Sequence, residues 1–384
     1  MRVSQTLFAG IVAALLGAGA WWLADKGGWR LGALFLVGGL LGLSLYHASF
    51  GFAGAFRALL AHRRGAGVRA QMLLLAVAVL LFQPALAQGA VGGQAVRGFV
   101  FPVGVALLVG AFLFGIGMQL GGGCASGTLY AVGGGGGRAL LTLACFIAGA
   151  TLAAYDHARW DAWPTLPPVS LPGAIGAAGT IALSLAVFAL VWAATAWLEH
   201  RRHGTIARLN GSGHALRGPW PLAWGALALA LLNFATLLLA GRPWAITASF
   251  PLWGSRIIEA LGIDDPVFWP YWDDPTRAEA LLRPLWTDRI GVMDLGLVLG
   301  AALAAFLAGR GGFTWRMRPG AAAGSVVGGL LLGYGAMLAT GCNVSAYVSG
   351  IASGSLHGWV WIVPGLLGNQ VGLWLRPMFR LDDA

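Results

Sequence analysis

Apolar runs long enough to cross a bilayer alternate with short polar, arginine-bearing breaks along the whole chain. A helix needs about 17 to 25 residues to span roughly 30 Å of hydrocarbon. Runs of that order lie near 7–24, 31–46, 70–88, 99–120, 139–155, 173–198, 221–240, 291–309, 320–340 and 357–376. The pattern predicts an all-α integral membrane protein with about ten transmembrane helices. The first run follows Arg2 like a secretory signal, but it is long for one and leads into Trp21 and Trp22 instead of a small-residue cleavage site, so it reads as a span.

Between the spans lie segments that are apolar yet too broken to cross. One pattern, A-S-F-x-x-x-G, occurs at Ala48, Ser49, Phe50 and Gly54 and again at Ala248, Ser249, Phe250 and Gly254. A longer one, G-x-G-x-x-L-x-x-G-C, occurs at Gly115, Gly117, Leu120, Gly123 and Cys124 and again at Gly333, Gly335, Leu338, Gly341 and Cys342. The order is the same each time, which predicts two pseudo-symmetric halves separated by an odd number of crossings and therefore inverted. The first half covers 1–198, with spans one to six and re-entrant elements near 48–62 and 121–137. A basic loop follows at 199–220. The second half, 221–384, holds spans seven to ten, a segment at 241–290 outside the membrane and a re-entrant element near 339–356.

Composition agrees with this class: 58% of residues are hydrophobic and 10% charged, against about a quarter charged in soluble proteins. The formal net charge of +10 comes from arginines in short loops, where they orient the chain and meet anionic lipid headgroups; no basic face with interleaved aromatics points to nucleic acid. With residue 1 inside, Arg63, Arg64 and Arg69, then Arg201, Arg202, Arg208 and Arg217, then Arg310, Arg316 and Arg318, then Arg376 and Arg380 all fall inside, which predicts cytoplasmic termini. Segment 241–290 mixes acids and arginines, and its prolines Pro266, Pro270, Pro275 and Pro284 discourage a long helix. Tryptophans at run ends, among them Trp21, Trp29, Trp197, Trp224, Trp359, Trp361 and Trp374, read as interfacial belts.

Non-helical backbone at membrane depth is tolerated where it is buried in protein or lines a polar cavity. Gly121 to Cys124 and Thr340 to Asn343 are therefore expected to line one, with Gly123 and Gly341 letting the main chain approach closely. Ser126 after the first cysteine, and Asn343 and Ser345 after the second, would open short helices whose N-terminal N–H groups favour an anion. A thiol there is polarisable and a weak donor, and together these groups suit a small sulfur-containing anion. Packing alone accounts for Gly38, Gly39 and Gly42 and for Gly133 to Gly137. Cys145, inside a span, reads equally as inert or functional. His47 and His357 read as interfacial or hydrogen-bonded residues, and Asp294 as interfacial, with a proton-relay role as the alternative. Three cysteines without C-x-x-C give neither a disulfide framework nor a zinc site, so neither metal nor cofactor is expected, and without a P-loop the chain is not expected to hydrolyse ATP itself.

The motifs G-G-G-C-A-S-G (Gly121 to Gly127) and A-T-G-C-N-V-S (Ala339 to Ser345), the second followed by Ser349-Gly350, resemble the YeeE/YedE family of bacterial sulfur transporters. The resemblance is strongest at 114–151 and 332–372. It implies a bacterial inner-membrane permease that takes up thiosulfate, not an enzyme, with thiols on centrally meeting loops relaying the anion and a TusA-like cytoplasmic sulfurtransferase as partner. Cys124 and Cys342 match the two loop cysteines. Thiosulfate carriers of the family place a further cysteine near the outer entrance of the first half; this chain has none before Cys124, which leaves both a relay that uses Cys145 in its place and one without it open. Other branches handle selenium species, and a persulfide-forming intramembrane sulfurtransferase and a membrane scaffold for a sulfurtransferase remain alternatives.

Overall fold

A computed structural model describes residues 3–211 and 213–381; the chain termini themselves lie outside the described residues. The helices in order are α1 (Val3–Gly27), α2 (Trp29–Ala48), α3 (Phe52–His62), α4 (Ala66–Gln88), α5 (Val105–Gly121), α6 (Ala125–Gly133), α7 (Gly137–Tyr155), α8 (His157–Asp161), α9 (Leu171–His203), α10 (Leu222–Ala240), α11 (Ser249–Ala260), α12 (Pro275–Leu282), α13 (Arg289–Leu307), α14 (Pro319–Leu338), α15 (Gly350–Ala352) and α16 (Leu356–Leu375). A π-helical turn, Asn343–Ser349, leads into α15. Among the described residues nine helices are long and apolar enough to cross a membrane. Helix α16 has the length, but His357, Asn369 and Gln370 lower its hydropathy. Among the described residues strand is confined to two short ladders, Ala90–Val91 with Gln94–Ala95 and Val103–Gly104 with Thr165–Leu166. The chain is an all-α integral membrane protein.

Local chemistry sets the helix ends. Left-handed glycines, Gly89, Gly122, Gly204 and Gly241, close α4, α5, α9 and α10, a conformation that costs glycine little. Asp288 caps α13 by accepting from the Gly291 N–H at 2.7 Å. The run expected from 99 becomes helical at Val105: Pro102 has no N–H to give, and residues 103–104 are held as strand against 165–166. The basic loop expected from 199 begins at Gly204 because α9 continues through Arg201 and Arg202. Glu199 is what holds that last turn, paired at 2.6 Å with Arg69 of α4, both side chains 1% exposed. Removing one partner of such a pair strands the other charge, at about 3–5 kcal/mol. Glu199→Ala is therefore expected to lower the thermal unfolding temperature in detergent well below wild type, and an unchanged temperature would contradict the pairing.

Helices pack in matching pairs. Helix α5 lies against α16 and α14 against α7; α2 lies against α13 and α10 against α4; α5 touches α14 and α2 touches α10; α1 rests on α13 as α9 rests on α4. Each of these contacts maps onto another or onto itself when α1, α2, α4, α5 and α7 are exchanged for α9, α10, α13, α14 and α16, whereas the close α1–α2 contact has no counterpart of similar extent between α9 and α10. Glycine makes the closest of them: a Cβ at Gly42 would sit 1.9 Å from the Leu297 carbonyl oxygen, and one at Gly300 1.8 Å from that of Gly39. The run Gly133 to Gly137 also packs, with Gly135 and Gly137 bonded to Thr314, as expected of small residues between membrane helices.

One end of the bundle gathers the arginine-bearing connections. Gln5 bonds to Gly311 there, and His203 lies 2.9 Å from the His62 carbonyl. The other end carries the segment between α10 and α13, which folds into short 3-10 turns, α11 and α12, with Trp269, Trp272 and Leu281 buried against Leu252 and Ala154. Trp21, Trp29, Trp197 and Trp374 are exposed, as interfacial residues should be. Trp361 is not: it is fully buried, and stacks on Tyr347 with centroids 6.4 Å apart. One helical face of α16 turns inward onto the core, and Trp361 lies on it although it is near a span end.

Candidate functional site

Both Gly-Cys motifs fold as a tight turn followed by a short helical element. Gly122 (φ 89°) closes α5, and Cys124 stands as N-cap of α6. Ala339 closes α14, and the left-handed Thr340 (φ 56°) and Gly341 (φ 138°) make the turn before Cys342, the N-cap of the π-helical turn. A Cβ at Gly341 would come within 2.3 Å of Ser345 Oγ, so this turn requires glycine. Gly123 is buried under α6, close to the Gly127 backbone. In both motifs the cysteine carbonyl accepts the first helical hydrogen bond at 2.8 Å, from Thr128 N–H and from Ala346 N–H.

The thiols sit where backbone donors converge. The amides of Ser126, Gly127 and Phe52 lie around Cys124 Sγ without a capping hydrogen bond to it, and Ser126 Oγ lies 3.3 Å from it. Cys342 Sγ is approached by the Val344 and Ser345 amides, and Ser345 Oγ bridges the turn, accepting from Cys342 N–H at 2.9 Å and donating to its sulfur at 3.6 Å. Such converging N–H groups favour negative charge. Both cysteines belong to one buried cluster, and the two thiols are close enough to interact electrostatically. Asn343 beside them is fully buried with neither amide atom partnered, and Thr128 Oγ1 is likewise unpartnered. An unmade buried hydrogen bond costs about 1–3 kcal/mol. These groups are donors and acceptors free for a guest.

A cavity of about 330 Å³ reaches Cys124 from the arginine-rich end, lined also by Ser49, Arg57, Gln71, Gly123 and Tyr130. Arg57 lines it, Arg138 lies beside the lining residue Gly122, and Arg138 is within electrostatic reach of Arg57 and Arg376. Arg138 donates to the Leu120 carbonyl at 2.8 Å and to Ser325 Oγ at 3.1 Å, and Arg376 donates to the Gln119 carbonyl at 3.1 Å. Positive charge in a low-dielectric funnel concentrates anions. Sequence reading placed Arg376 only as a loop charge and did not single out Arg57, Arg138 or Gln71 at all. The available signal was Arg138 itself, set directly after a five-glycine run at the start of a span.

Of the residues expected at the site, Cys124, Ser126, Gly123, Cys342, Gly341, Asn343 and Ser345 come together on the two elements. Cys145 stands apart: it is half-buried on α7, its Cβ against Gly329 of α14. His357 is a buried, hydrogen-bonded histidine, Nδ1 2.6 Å from Ser355 Oγ. Asp294 is not interfacial. It is 0% exposed, because the folded segment between α10 and α13 covers that end of α13.

A helical membrane bundle with broken, polar-tipped elements in its buried core and a charged cavity reaching one of them has the construction of a solute transporter. The sulphur-transport family profile matches residues 47–371, and the chain belongs to that family, as its Gly-Cys motifs suggested. It is 28% identical over 371 residues to the thiosulfate transporter TsuA of Spirochaeta thermophila, covering 90% of this chain and 98% of that one. Similarity to the TsuA of Escherichia coli is 26% over 356 residues, 88% and 93% of the two chains. The probable transporter YedE of Salmonella typhimurium is 30% identical over 164 residues, 42% of this chain and 40% of its own.

Proposed function

We propose that this chain is a permease of the bacterial cytoplasmic membrane that takes up thiosulfate, or a closely related small sulfur anion, past Cys124 and Cys342. The observation that carries the proposal is the pair of buried thiols on equivalent Gly-Cys turns, each met by backbone N–H groups and within electrostatic reach of the other. The relatives named as thiosulfate transporters run nearly the full length of the chain. Thiosulfate has a terminal sulfur that accepts a hydrogen bond from a thiol and oxygens that accept from amides, so each site offers both ends of the ion a partner. The unpartnered Asn343 amide completes the set.

In this reading the arginine-rich end is cytoplasmic, and Arg57, Arg138 and Arg376 draw the anion out of the Cys124 site. The halves are inverted copies, a view supported by contacts that exchange between α1–α7 and α9–α16, a division that moves α9, expected as the sixth span of the first half, into the second. Each unit then has five long helices, an odd number, and its cysteine turn approaches the centre from the opposite face. A TusA-like sulfurtransferase waiting at the cytoplasmic cavity would consume the anion and keep uptake downhill. The test is growth of a bacterium lacking its own thiosulfate uptake, with thiosulfate as sole sulfur source. Expression of this chain is expected to restore growth; no growth with the protein present in the membrane would overturn the proposal.

A further inference from the structure

The sulfur-anion reading leaves one buried titratable group unused. Asp294 lies five residues into α13, about 7.5 Å along the axis at 1.5 Å per residue. Its carboxyl is 0% exposed; Oδ1 makes no hydrogen bond within ordinary distance, and the donor near the carboxyl besides Ser249 is the buried, unpartnered Trp244 indole N–H. Ser249, the serine of the second A-S-F motif, holds Oδ2 at 2.6 Å and also lies 3.4 Å from the Ile246 carbonyl. One hydroxyl proton cannot serve both acceptors. Both contacts are satisfied when Asp294 is protonated and donates to Ser249, which donates onward to Ile246. Ionised carboxylates buried without compensation at membrane depth are costly, and their positions mark proton or ion pathways.

The surroundings supply a route and a coupling element. At the outer end a cavity of about 240 Å³ is lined by Asp288, Arg289, Arg242 and Arg283. Asp288 is the titratable group within electrostatic reach of Asp294, and burial pushes its carboxyl above the usual range. Charged and titratable groups on the elements packed against α13 are engaged elsewhere. On α1, Asp25 pairs with Lys26. On α2, Arg30 bonds Gln94, Tyr46 feels Arg310, and His47 lies against Trp220. Tyr130 of α6 feels Cys124 and Tyr46, and on α11 Arg256 pairs with Glu259. Ser249 follows a 3-10 turn, Ile246–Ala248, that touches α13, α6 and the turn at 343–349. The group that binds the Asp294 proton is therefore attached to a segment in contact with both cysteine-bearing elements. At the same place in α4, five residues from its start, the first half carries the neutral Gln71, so the titratable side chain belongs to one half only.

We propose that anion uptake by this chain is coupled to proton influx, with Asp294 binding the proton from the outer cavity by way of Asp288 and releasing it on the arginine-rich side. This rests on the permease reading above. A dianion moving toward a negative interior is opposed by the membrane potential, and each co-transported proton removes one unit of that opposition.

The test uses the purified full chain in liposomes, with thiosulfate as probe, the membrane potential clamped and an internal pH dye. Thiosulfate exchange at equal pH reports the permease alone. An inwardly directed proton gradient is expected to raise wild-type uptake about fivefold or more, the lower range of ordinary coupling between two ligands, with internal acidification dependent on thiosulfate. In Asp294→Asn the ratio of gradient-driven uptake to exchange falls to that without a gradient. Ser249→Ala, which leaves α13 intact, shifts the pH of half-maximal stimulation, and it decides the matter should Asp294→Asn fail to fold. Exchange without any gradient response in wild type would overturn the coupling and leave the permease standing. An undiminished response in Asp294→Asn, or no shift in Ser249→Ala, would overturn the assignment to Asp294. Absence of exchange in wild type would instead overturn the permease.

Discussion

Cys342→Ala is expected to reduce thiosulfate uptake about 10- to 100-fold without loss of the folded protein. Its thiol is fully buried, so alanine leaves a small apolar gap and no stranded charge, and the fold should bear it. What is lost is a donor facing the anion, and hydrogen bonds to charged groups contribute about 1.5–3 kcal/mol, which sets that range of rates. Cys124→Ala should act alike, because its sulfur occupies the same N-cap position. Cys342→Ser should fall between, since a hydroxyl still donates but is shorter and less polarisable than the thiol. Cys145→Ala is expected to stay near wild type: the residue is half-buried on α7, its Cβ against Gly329 of α14 and not on either cysteine turn. Initial uptake rates with protein amounts matched by quantitative blotting check the series, and wild-type rates in both Cys124→Ala and Cys342→Ala would end the thiol relay.

The second large effect concerns the scaffold. Gly42→Leu should unfold the protein or prevent its accumulation, because even the first carbon of a side chain would lie 1.9 Å from the Leu297 carbonyl and 2.8 Å from the Ala301 nitrogen. Those neighbours are helix backbone, so relief requires moving α2 away from α13 along their seam. Overpacking in cores typically costs about 1–3 kcal/mol, and a clash with backbone on two successive turns lies at or beyond the upper end. Gly17→Leu on α1 is the control, having nothing within 4 Å of the corresponding position. Thermal unfolding in detergent, followed by size-exclusion chromatography, separates the two. Equal stability of the two variants would contradict the packing described.

Much of the fold was legible because a bilayer reduces the problem to length and hydropathy. Ten expected runs correspond to the ten longest helices, and the two Gly-Cys motifs mark short broken elements because glycine and cysteine are poor reasons for a continuous span. Features set by distant chain segments were not legible. Arg57, Arg138 and Arg376 share no local pattern, yet Arg138 comes within electrostatic reach of both others. Trp361 looked interfacial by its position near a span end, while its burial depends on Tyr347 and Phe114 of other elements. Asp294 looked interfacial for the same reason, and only the folding of the segment between α10 and α13 seals it. Helix α9 outran its hydropathy because the Arg69–Glu199 pair lets charged residues continue the helix.

Electrical work frames what the site must overcome. Moving one charge across the membrane involves roughly 2.3 kcal/mol for each 100 mV, so about twice that opposes a dianion entering a negative interior. A weak, two-station path past two thiols suits such an ion, since tight binding at either station would slow its release. Consumption of the anion inside, or protons travelling with it, supplies the missing drive.

The most direct test of the central claim is uptake of labelled thiosulfate into liposomes containing the purified protein, with sulfate and selenite as competitors and Cys342→Ala in parallel. The account predicts saturable uptake that sulfate competes with weakly and that the alanine variant loses. Absence of saturable thiosulfate uptake by the wild-type protein, or equal uptake by the variant, would contradict it.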